Sequence, residues 1–411
     1  MKKRPDLLTD ASPKGLEVFQ LTTEDTVPSS HIYMEAQIFT PGSKRLILHR
    51  SAHPHGSDPH DPEHRYLICD LENDGALIPI TEEIGATAPS VSPDGKTLYY
   101  FVDETTPGGG RLTLKRVGMD GTDRDTVVVV DAPIPGTPFR PSGPYPLSTI
   151  SSDGKRLAIS AFLGNGRTEH APWGLFVFDL KGASVALVIH GQTWCNMHPQ
   201  YSRSLDPVES HDILIQENHG NVCDASGVCT RLTGGEGADI HLVRDDGTNL
   251  RDLPWGRDGN EFCQGHQCWV GRSRWAITST STREPKSCRL IAAQAVPHIG
   301  HKGINTPGGR RNDLSRTFPH PDFHHFATDI TGRWLVSDAG PRDQGGAIHL
   351  ADLPADETAP LENIIFLLNP RSSWEKGAHI HPFLSPDGRS GFFNSDESGI
   401  LQAYMVRGWE T

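Results

Sequence analysis

The sequence lacks the features of several large protein classes. Its 411 residues contain 38 Lys and Arg against 51 Asp and Glu, a formal net charge of -13 with histidine neutral. A nucleic-acid-binding protein needs a basic surface, so this balance argues against a nucleic-acid partner. No run of about 18 apolar residues occurs, and the basic start at residues 1–4 leads into Pro5 and Asp6 rather than an apolar core. We therefore expect no membrane span, no secretory signal and a cytoplasmic location.

Cysteine is scarce and irregularly spaced. The seven cysteines are an odd number, and none forms a C-x-x-C motif, so neither a zinc knuckle nor a disulfide framework is indicated. We expect free thiols. The close pairs Cys223/Cys229 and Cys263/Cys268 could oxidise, although chance proximity is the simpler explanation.

Common catalytic motifs are also missing. The sequence contains no Gly-rich phosphate loop, no G-x-S-x-G elbow and no H-E-x-x-H helix. Without an elbow, and with no length left for a hydrolase domain, a serine peptidase is not indicated.

What the sequence does contain is a recurring turn. A tight polar turn, usually Asp-Gly, is followed by a basic residue and an alternating apolar run, as in residues 92–100. The signature recurs near positions 43, 94, 153, 208, 272, 331 and 387, with degenerate copies at 208 and 272. The intervals are roughly 50 to 65 residues, a spacing that indicates repeated structural units.

Each interval has room for about four short strands. A second hairpin signal follows several of the turns, as in residues 67–71 and 77–81. Four antiparallel strands per repeat are typical of a β-propeller blade. We predict an all-β, single-domain, seven-bladed β-propeller over residues 1–411, with an N-terminal strand at 16–21 closing the last blade. The longer intervals around 216–238 and 295–325 predict extra loops on a rim, where functional residues are usually found.

Histidine is abundant, with 21 in the chain. His379 and His381 precede the last turn, and residues two apart on an extended segment point the same way, so both imidazoles can reach one ion. His325 occupies the equivalent place one unit earlier and could complete a three-imidazole metal site. The alternative is that these are hydrogen-bonded structural histidines or surface residues.

Other histidines precede blade turns or lie in loops. His266, one unit before His325, suits a general base, with a buried structural histidine as the alternative. His198 and His219 could contact a ligand or be packed loop residues. A polar, Pro-rich stretch holds five more histidines and is predicted to be solvated surface; they are His49, His53, His55, His60 and His64.

The order of these motifs resembles oligogalacturonate lyase, a cytoplasmic family of seven-bladed propellers in pectin degradation. The resemblance covers most of the chain and rests on His31, His198-Pro199, residues 246–249, His266 with Trp269, His325, and residues 379–382 before Ser-Pro-Asp-Gly. It implies a Mn²⁺ ion held by His325, His379 and His381, with His266 as the base. Imidazole and oxygen donors also suit Zn²⁺, Ni²⁺ or Fe²⁺.

The resemblance also indicates where this chain departs from the family pattern. The family's glutamine ligand falls on Lys376, which cannot bind a metal while charged, so Glu375 or water would replace it. A family arginine falls on Asp239, and Arg231 in the inserted loop would substitute for it. His219 matches a further active-site histidine.

Candidate substrate-binding residues are His198, Arg310 and Arg311. Arginine is preferred here because it can hold a carboxylate through two hydrogen bonds. These arginines are expected to contact the carboxylates of a small anionic oligosaccharide.

The implied reaction is metal-dependent cleavage of 4-linked uronic-acid oligosaccharides by β-elimination, which leaves a 4,5-unsaturated uronate. The net charge of -13 would repel such a substrate, but the local potential of a metal-loaded funnel can have the opposite sign. The alternative function is a non-catalytic propeller scaffold that binds a protein or glycan partner.

Overall fold

The computed structural model describes residues 1–51, 58–254, 260–283, 287–295, 311–317, 321–356 and 358–409. In chain order the strands are β1 (Lys2–Lys3), β2 (Glu17–Gln20), β3 (Ser29–His31), β4 (Arg45–Arg50), β5 (Arg65–Asp70), β6 (Ala76–Pro79), β7 (Ala86–Val91), β8 (Thr97–Thr106), β9 (Gly109–Gly118), β10 (Asp125–Val130), β11 (Gly143–Ile150), β12 (Arg156–Phe162), β13 (Trp173–Asp179), β14 (Ser184–Gly191), β15 (Gln200–Tyr201), β16 (Asp212–Asn218), β17 (Val222–Cys223), β18 (Cys229–Arg231), β19 (Ala238–Arg244), β20 (Arg251–Asp252), β21 (Glu261–Trp269), β22 (Trp275–Thr282), β23 (Ser287–Gln294), β24 (Arg311–Asp313), β25 (Phe323–Thr328), β26 (Trp334–Ala339), β27 (Ala347–Asp352), β28 (Glu362–Leu368), β29 (Phe383–Leu384), β30 (Ser390–Ser395) and β31 (Gln402–Arg407). Short 3-10 turns lie at Pro5–Leu7, Glu209–His211, Arg342–Gln344 and Lys376–Ala378. Among the described residues, no helix has the length and apolarity that crossing a bilayer requires.

The strands form seven antiparallel blades. In order these are β3 to β6, β7 to β10, β11 to β14, β15-β16-β19-β20, β21 to β24, β25 to β28, and β29-β30-β31-β2-β1. A single pairing, Ala238 with Cys263, joins the fourth blade to the fifth. The prediction of an all-β, seven-bladed propeller is confirmed.

The seventh blade combines both ends of the chain. Strand β2 lies antiparallel to β31, with Glu17 opposite Arg407 and Gln20 opposite Tyr404. An outer strand is thus present at Glu17–Gln20, within the 16–21 segment of the sequence prediction. Because this pairing covers the free edge of β31, the ring closes through backbone hydrogen bonds.

The repeated turn connects the first two strands of a blade, and its side chains explain its shape. In the second blade, Asp94 Oδ1 accepts hydrogen bonds from Ser92 Oγ at 2.6 Å and from the Lys96 N–H at 3.1 Å. Gly95 has a φ of +71°, and a Cβ there would lie 2.5 Å from Cδ of Pro41 in the first blade. Glycine therefore satisfies both the left-handed backbone and the close approach of the neighbouring blade.

Apolar side chains fill the space between blades. Phe101 and Leu114 of the second blade pack with Ile159 and Phe176 of the third, and all four are fully buried. Each such side chain contributes about 1.5–3 kcal/mol of burial free energy. This packing holds the inner strands rigidly around the ring.

An inserted hairpin, here called the rim hairpin, consists of β17 and β18 and lies between β16 and β19. It falls in the 216–238 interval where an extra loop is predicted. The second interval, 295–325, lies largely outside the described residues.

The predicted solvated histidine stretch is partly wrong. His64 is buried, and His49 lies within β4, where its ring stacks on Tyr66 at a centroid distance of 6.3 Å. In β4 His49 follows the continuous buried run of residues 46–48, and its Nε2 pairs with Ser30 of the neighbouring strand β3. His60 is exposed, whereas His53 and His55 lie outside the described residues.

Candidate active site

Three histidines from the sixth and seventh blades converge and are called here the imidazole triad: His325, His379 and His381. One ring nitrogen of each lies within 4.8 Å of the other two. The ring centroid of His325 is 4.3 Å from that of His381 and 5.3 Å from that of His379. After small side-chain adjustments, one metal ion can coordinate all three nitrogens at bond lengths of about 2.1 Å.

Irregular backbone brings the imidazole triad together. A register shift between Phe323 and Phe326 interrupts β25 at His325, and such bulges commonly redirect side chains at functional sites. His379 follows the 3-10 turn, and His381 has a φ of 44°. The regular extended geometry predicted for residues 379–381 is therefore wrong, because His381 adopts the left-handed conformation that histidine tolerates better than most residues.

A buried carboxylate orients His325. Nδ1 of His325 lies 2.8 Å from Oδ2 of Asp338, and the His325 backbone N–H donates to Oδ1 at 2.8 Å. Asp338 is fully buried in β26. Because Nδ1 is engaged, Nε2 is the nitrogen of His325 available to a metal, an arrangement typical of metal-binding histidines.

His266 adjoins the imidazole triad. Its ring centroid lies 4.5 Å from that of His325. Gly265, with a φ of +90°, and a register shift between Cys263 and Gln267 displace His266 from the regular pleat of β21. Among the described residues its buried Nδ1 has no hydrogen-bond partner. Burial, and then the neighbouring His325 and His198, lower the pKa of His266 well below its ordinary value, so the ring is neutral and can accept a proton.

The segment between β3 and β4 of the first blade lies beside these histidines. Oε2 of buried Glu35 lies 3.1 Å from Nδ1 of His198, whose Nε2 lies 3.2 Å from Oη of Tyr145. The ring of Tyr33 is 4.6 Å from that of His381 and 5.1 Å from that of His198. Both ring nitrogens of His198 thus have partners. Sequence reasoning missed Tyr33, Glu35 and Tyr145 because none of the three lies in a repeated turn or beside a histidine motif that points to it.

His219 belongs to a separate acid–histidine network in the fourth blade. Its Nε2 lies 3.2 Å from Oδ2 of Asp239 and 3.5 Å from Oε2 of Glu217. Nε2 of His241 lies 3.1 Å from the same Glu217 oxygen, and Nδ1 lies 2.7 Å from Asp252. Burial disfavours the charged forms of Glu217 and His241, but their hydrogen bonds to each other and to neighbouring side chains outweigh it. The pKa of Glu217 is therefore lowered to about 2, and that of His241 is raised to about 9.

The remaining predicted residues are dispersed. Arg231 is exposed at the end of β18, where its Nε donates to the Gly220 carbonyl at 2.9 Å. Arg311 lies in β24, the outer strand of the fifth blade, and pairs with Glu261. Glu375 is exposed. Arg310 and the Lys376 side chain lie outside the described residues. The structure thus brings His266 to the imidazole triad but shows no contact between the triad and Arg231 or Arg311.

Comparisons with known proteins bear on the fold. No protein-family model and no curated protein matches the sequence. An oligogalacturonate lyase in complex with manganese superimposes with a TM-score of 0.72 at 19% identity, covering 100% of this chain and 97% of that one. An oligogalacturonate lyase from Vibrio parahaemolyticus has a TM-score of 0.68 at 16% identity, with 95% and 93% coverage.

A third similar structure is the β-propeller domain of the Trilobed protease from Pyrococcus furiosus. Its TM-score is 0.50 at 11% identity, with 89% of this chain and 93% of that chain covered. These likenesses show a shared propeller fold.

Proposed function

We propose that this chain is a metal-dependent lyase that cleaves 4-linked uronic-acid oligosaccharides by β-elimination, releasing 4,5-unsaturated uronates. One observation carries the proposal: a neutral His266 lies against the imidazole triad, in which Asp338 orients His325. The shared fold with an oligogalacturonate lyase in complex with manganese supports it. The substrate class would be oligogalacturonate from pectin, cleaved in the cytoplasm.

The residues present fit a divalent metal ion. His325, His379 and His381 would hold it, and Asp338 would keep the Nε2 lone pair of His325 directed at it. A bound cation would disperse the negative charge that develops on the substrate carboxylate as the C5 proton leaves. Mn²⁺ is the first candidate, and Zn²⁺, Ni²⁺ and Fe²⁺ share the same ligand preferences.

His266 would act as the general base. Its imidazole accepts the C5 proton of the uronate, and the electron pair of that C–H bond is delocalised onto the adjacent carboxylate. The pair forms the C4–C5 double bond as the C4–O bond breaks, and the departing oxygen takes a proton from solvent. Because burial lowers the pKa of His266, the ring is unprotonated at neutral pH and ready for this step.

Substrate carboxylates require cationic partners. Arg231 on the rim hairpin, together with Arg310 and Arg311, is proposed to bind them, Arg311 by exchanging Glu261 for substrate. His198 would position the sugar through its ring face, because its nitrogens are occupied. His219, in the fourth blade, would act as a further active-site histidine.

The test measures unsaturated product by ultraviolet absorbance with di- and trigalacturonate as substrates. The metal-loaded protein should form product, chelation should abolish it, and Mn²⁺ should restore it. His266→Asn should lower kcat by about 10²–10⁴-fold without loss of bound metal. His379→Ala should lose both activity and metal.

His190→Asn is the matched control, because His190 is exposed on the outer strand of the third blade. It should behave as the unaltered protein does. Absence of product from every uronide with metal restored, or full turnover by His266→Asn, would overturn the proposal. If the unaltered, metal-loaded protein bound an oligouronide without any turnover and both active-site variants bound it equally well, the non-catalytic scaffold would be the better description.

A further inference from the structure

Cys195 meets the close pair Cys223 and Cys229 at the edge of the fourth blade. This thiol cluster consists of Cys195, in the loop before β15, and Cys223 and Cys229, which are cross-strand partners in the rim hairpin. The three Sγ atoms all lie within 4.8 Å of one another, and those of Cys195 and Cys229 are 3.9 Å apart. Cys195 and Cys223 are buried, and Cys229 is exposed.

These sulfur separations suit a thiophilic metal ion. With Zn–S bonds of about 2.3 Å at tetrahedral angles, two bound sulfurs lie about 3.8 Å apart. The Cys195–Cys229 separation of 3.9 Å already has this value. The remaining pairs need to close by less than about 1 Å, which small rotations of the cysteine side chains allow.

Two hydrogen bonds also support this arrangement of the sulfurs. Nδ2 of Asn221 donates to Sγ of Cys223 at 3.5 Å, a contact of the kind that supports metal-bound sulfur. The amide of Asn218 donates to the Cys195 carbonyl at 2.7 Å, which fixes the loop that carries this thiol. The preorganised loop and the short hairpin therefore present the three sulfurs together without a large backbone movement.

We propose that the thiol cluster is a second metal site, selective for a thiophilic ion such as Zn²⁺ and separate from the imidazole triad. Binding releases three protons to solvent, so three thiolates and one Zn²⁺ leave a net charge of one minus at the site. Three protein ligands leave the fourth tetrahedral position to water.

Such a site would fasten the rim hairpin to the ring. The hairpin also rests on the third blade, where the His170 N–H donates to the Cys223 carbonyl at 3.2 Å and Gly227 approaches the ring of Phe162. Because Cys195 is one of the ligands, the ion would also attach the rim hairpin to the loop that leads to His198. The metal would thereby restrain Arg231 relative to the fourth blade.

The test uses the full chain, reduced and stripped of metal, carrying His379→Ala so that the imidazole triad does not compete. Titration with Co²⁺ should produce the near-ultraviolet charge-transfer absorption that Co²⁺ shows with thiolate ligands but not with imidazole, saturating at one equivalent. Zn²⁺ should then displace Co²⁺ with a Kd below about 1 μM. Absence of the thiolate band would overturn the proposal.

Variants locate the ligands. Cys229→Ser, at an exposed position, should weaken Zn²⁺ binding by at least about 100-fold, whereas Cys288→Ser, outside the cluster, should leave it unchanged. Thermal melting without metal should be the same for both variants and the parent, which separates ligand loss from misfolding. Equal Zn²⁺ affinity in the two variants, or a disulfide between Cys223 and Cys229 in protein purified with its thiols protected, would contradict the proposed site.

Discussion

At the scale of single residues, Asp338 has the clearest influence on the imidazole triad. Its two carboxylate oxygens engage the backbone N–H and Nδ1 of the same histidine, His325. Asp338→Asn keeps the side-chain size but replaces an obligatory acceptor with a group that can turn its NH₂ toward Nδ1. We expect the affinity for Mn²⁺ or Zn²⁺ to fall by about 10–100-fold, measured by calorimetric titration.

Asp343→Asn is the control for this substitution, since Asp343 is exposed in the 3-10 turn that follows β26. It should leave the affinity unchanged. An Asp338→Asn protein that binds metal as tightly as the parent would show that the carboxylate does not orient His325.

A second prediction at this scale concerns pH. Burial lowers the pKa of His241, but contacts with Asp252 and Glu217 outweigh it and raise the value to about 9. A folded-state pKa above the ordinary 6.5 stabilises the fold fully below pH 6.5, and this stabilisation is lost as pH rises through 9. Stability should therefore fall by up to about 3 kcal/mol over this range, as measured by urea unfolding.

His241→Gln should flatten the alkaline part of that curve, because glutamine retains a donor but cannot titrate. His211→Gln is the comparison, since His211 pairs with Asp245 at 2.7 Å at a more exposed place. If the parent and His241→Gln lost stability in parallel from pH 6.5 to 9, another group would be responsible.

Residues of the candidate site differ in how far sequence could predict them. His325, His379 and His381 precede recognisable turns, so their convergence follows from the repeat. Asp338 and Glu35 have no such marker, because their partners lie 13 and 163 positions away and the contacts arise only when the blades pack. The thiol cluster was partly visible as the pair Cys223/Cys229, but Cys195 joins it through tertiary structure alone.

At the scale of single elements, the blade turns combine local backbone geometry with contacts between blades. Gly95→Ala introduces a side chain into the left-handed conformation and places its Cβ 2.5 Å from Pro41. We expect a loss of about 2–4 kcal/mol, the sum of backbone strain and overpacking. The measurement is urea unfolding monitored by circular dichroism.

Gly121→Ala separates the two contributions. Gly121 has a similar φ of +85°, but an added Cβ would meet nothing within 4 Å. It should cost only the strain, about 1 kcal/mol. If both variants lost the same free energy of unfolding, the close approach of the first blade to Gly95 would not contribute to stability.

These elements also show which structural features sequence reasoning can and cannot predict. The Ser-Pro-Asp-Gly turns were predictable because their hydrogen bonds join residues at most five positions apart, as between Ser92 and Thr97. The bulges at His266 and His325 were not, since a register shift depends on the partner strand. The left-handed backbone at His381 likewise has no glycine to mark it.

At the scale of the whole molecule, ring closure depends on a buried ion pair as well as on strand pairing. Arg4 donates to Glu397 at 2.8 Å through Nη2, pairs with Asp6, and lies near Oη of Tyr404. The side chains of Arg4 and Glu397 are each only 10% exposed. Arg4→Met leaves the Glu397 carboxylate buried without its cation, so we expect a loss of about 3 kcal/mol in unfolding free energy.

The neighbouring pair of Lys3 with Glu17 provides the comparison. Its side chains are 71% and 38% exposed, and solvent screens their attraction. Lys3→Met should cost less than about 0.5 kcal/mol in the same urea experiment. Similar costs for the two substitutions would show that the pair of Arg4 with Glu397 does not hold the seventh blade closed.

Pairing of β2 with β31 also affects how the protein forms during translation. The ribosome releases Glu17–Gln20 early, yet their partners Gln402–Arg407 emerge after nearly all of the other blades. Until then the nascent chain is an open arc with an unpaired strand at each end, a state prone to association with other chains. Closure of the ring is therefore a late folding event, because it pairs strands almost four hundred residues apart. Chaperones that shield strand edges would act on the open intermediate.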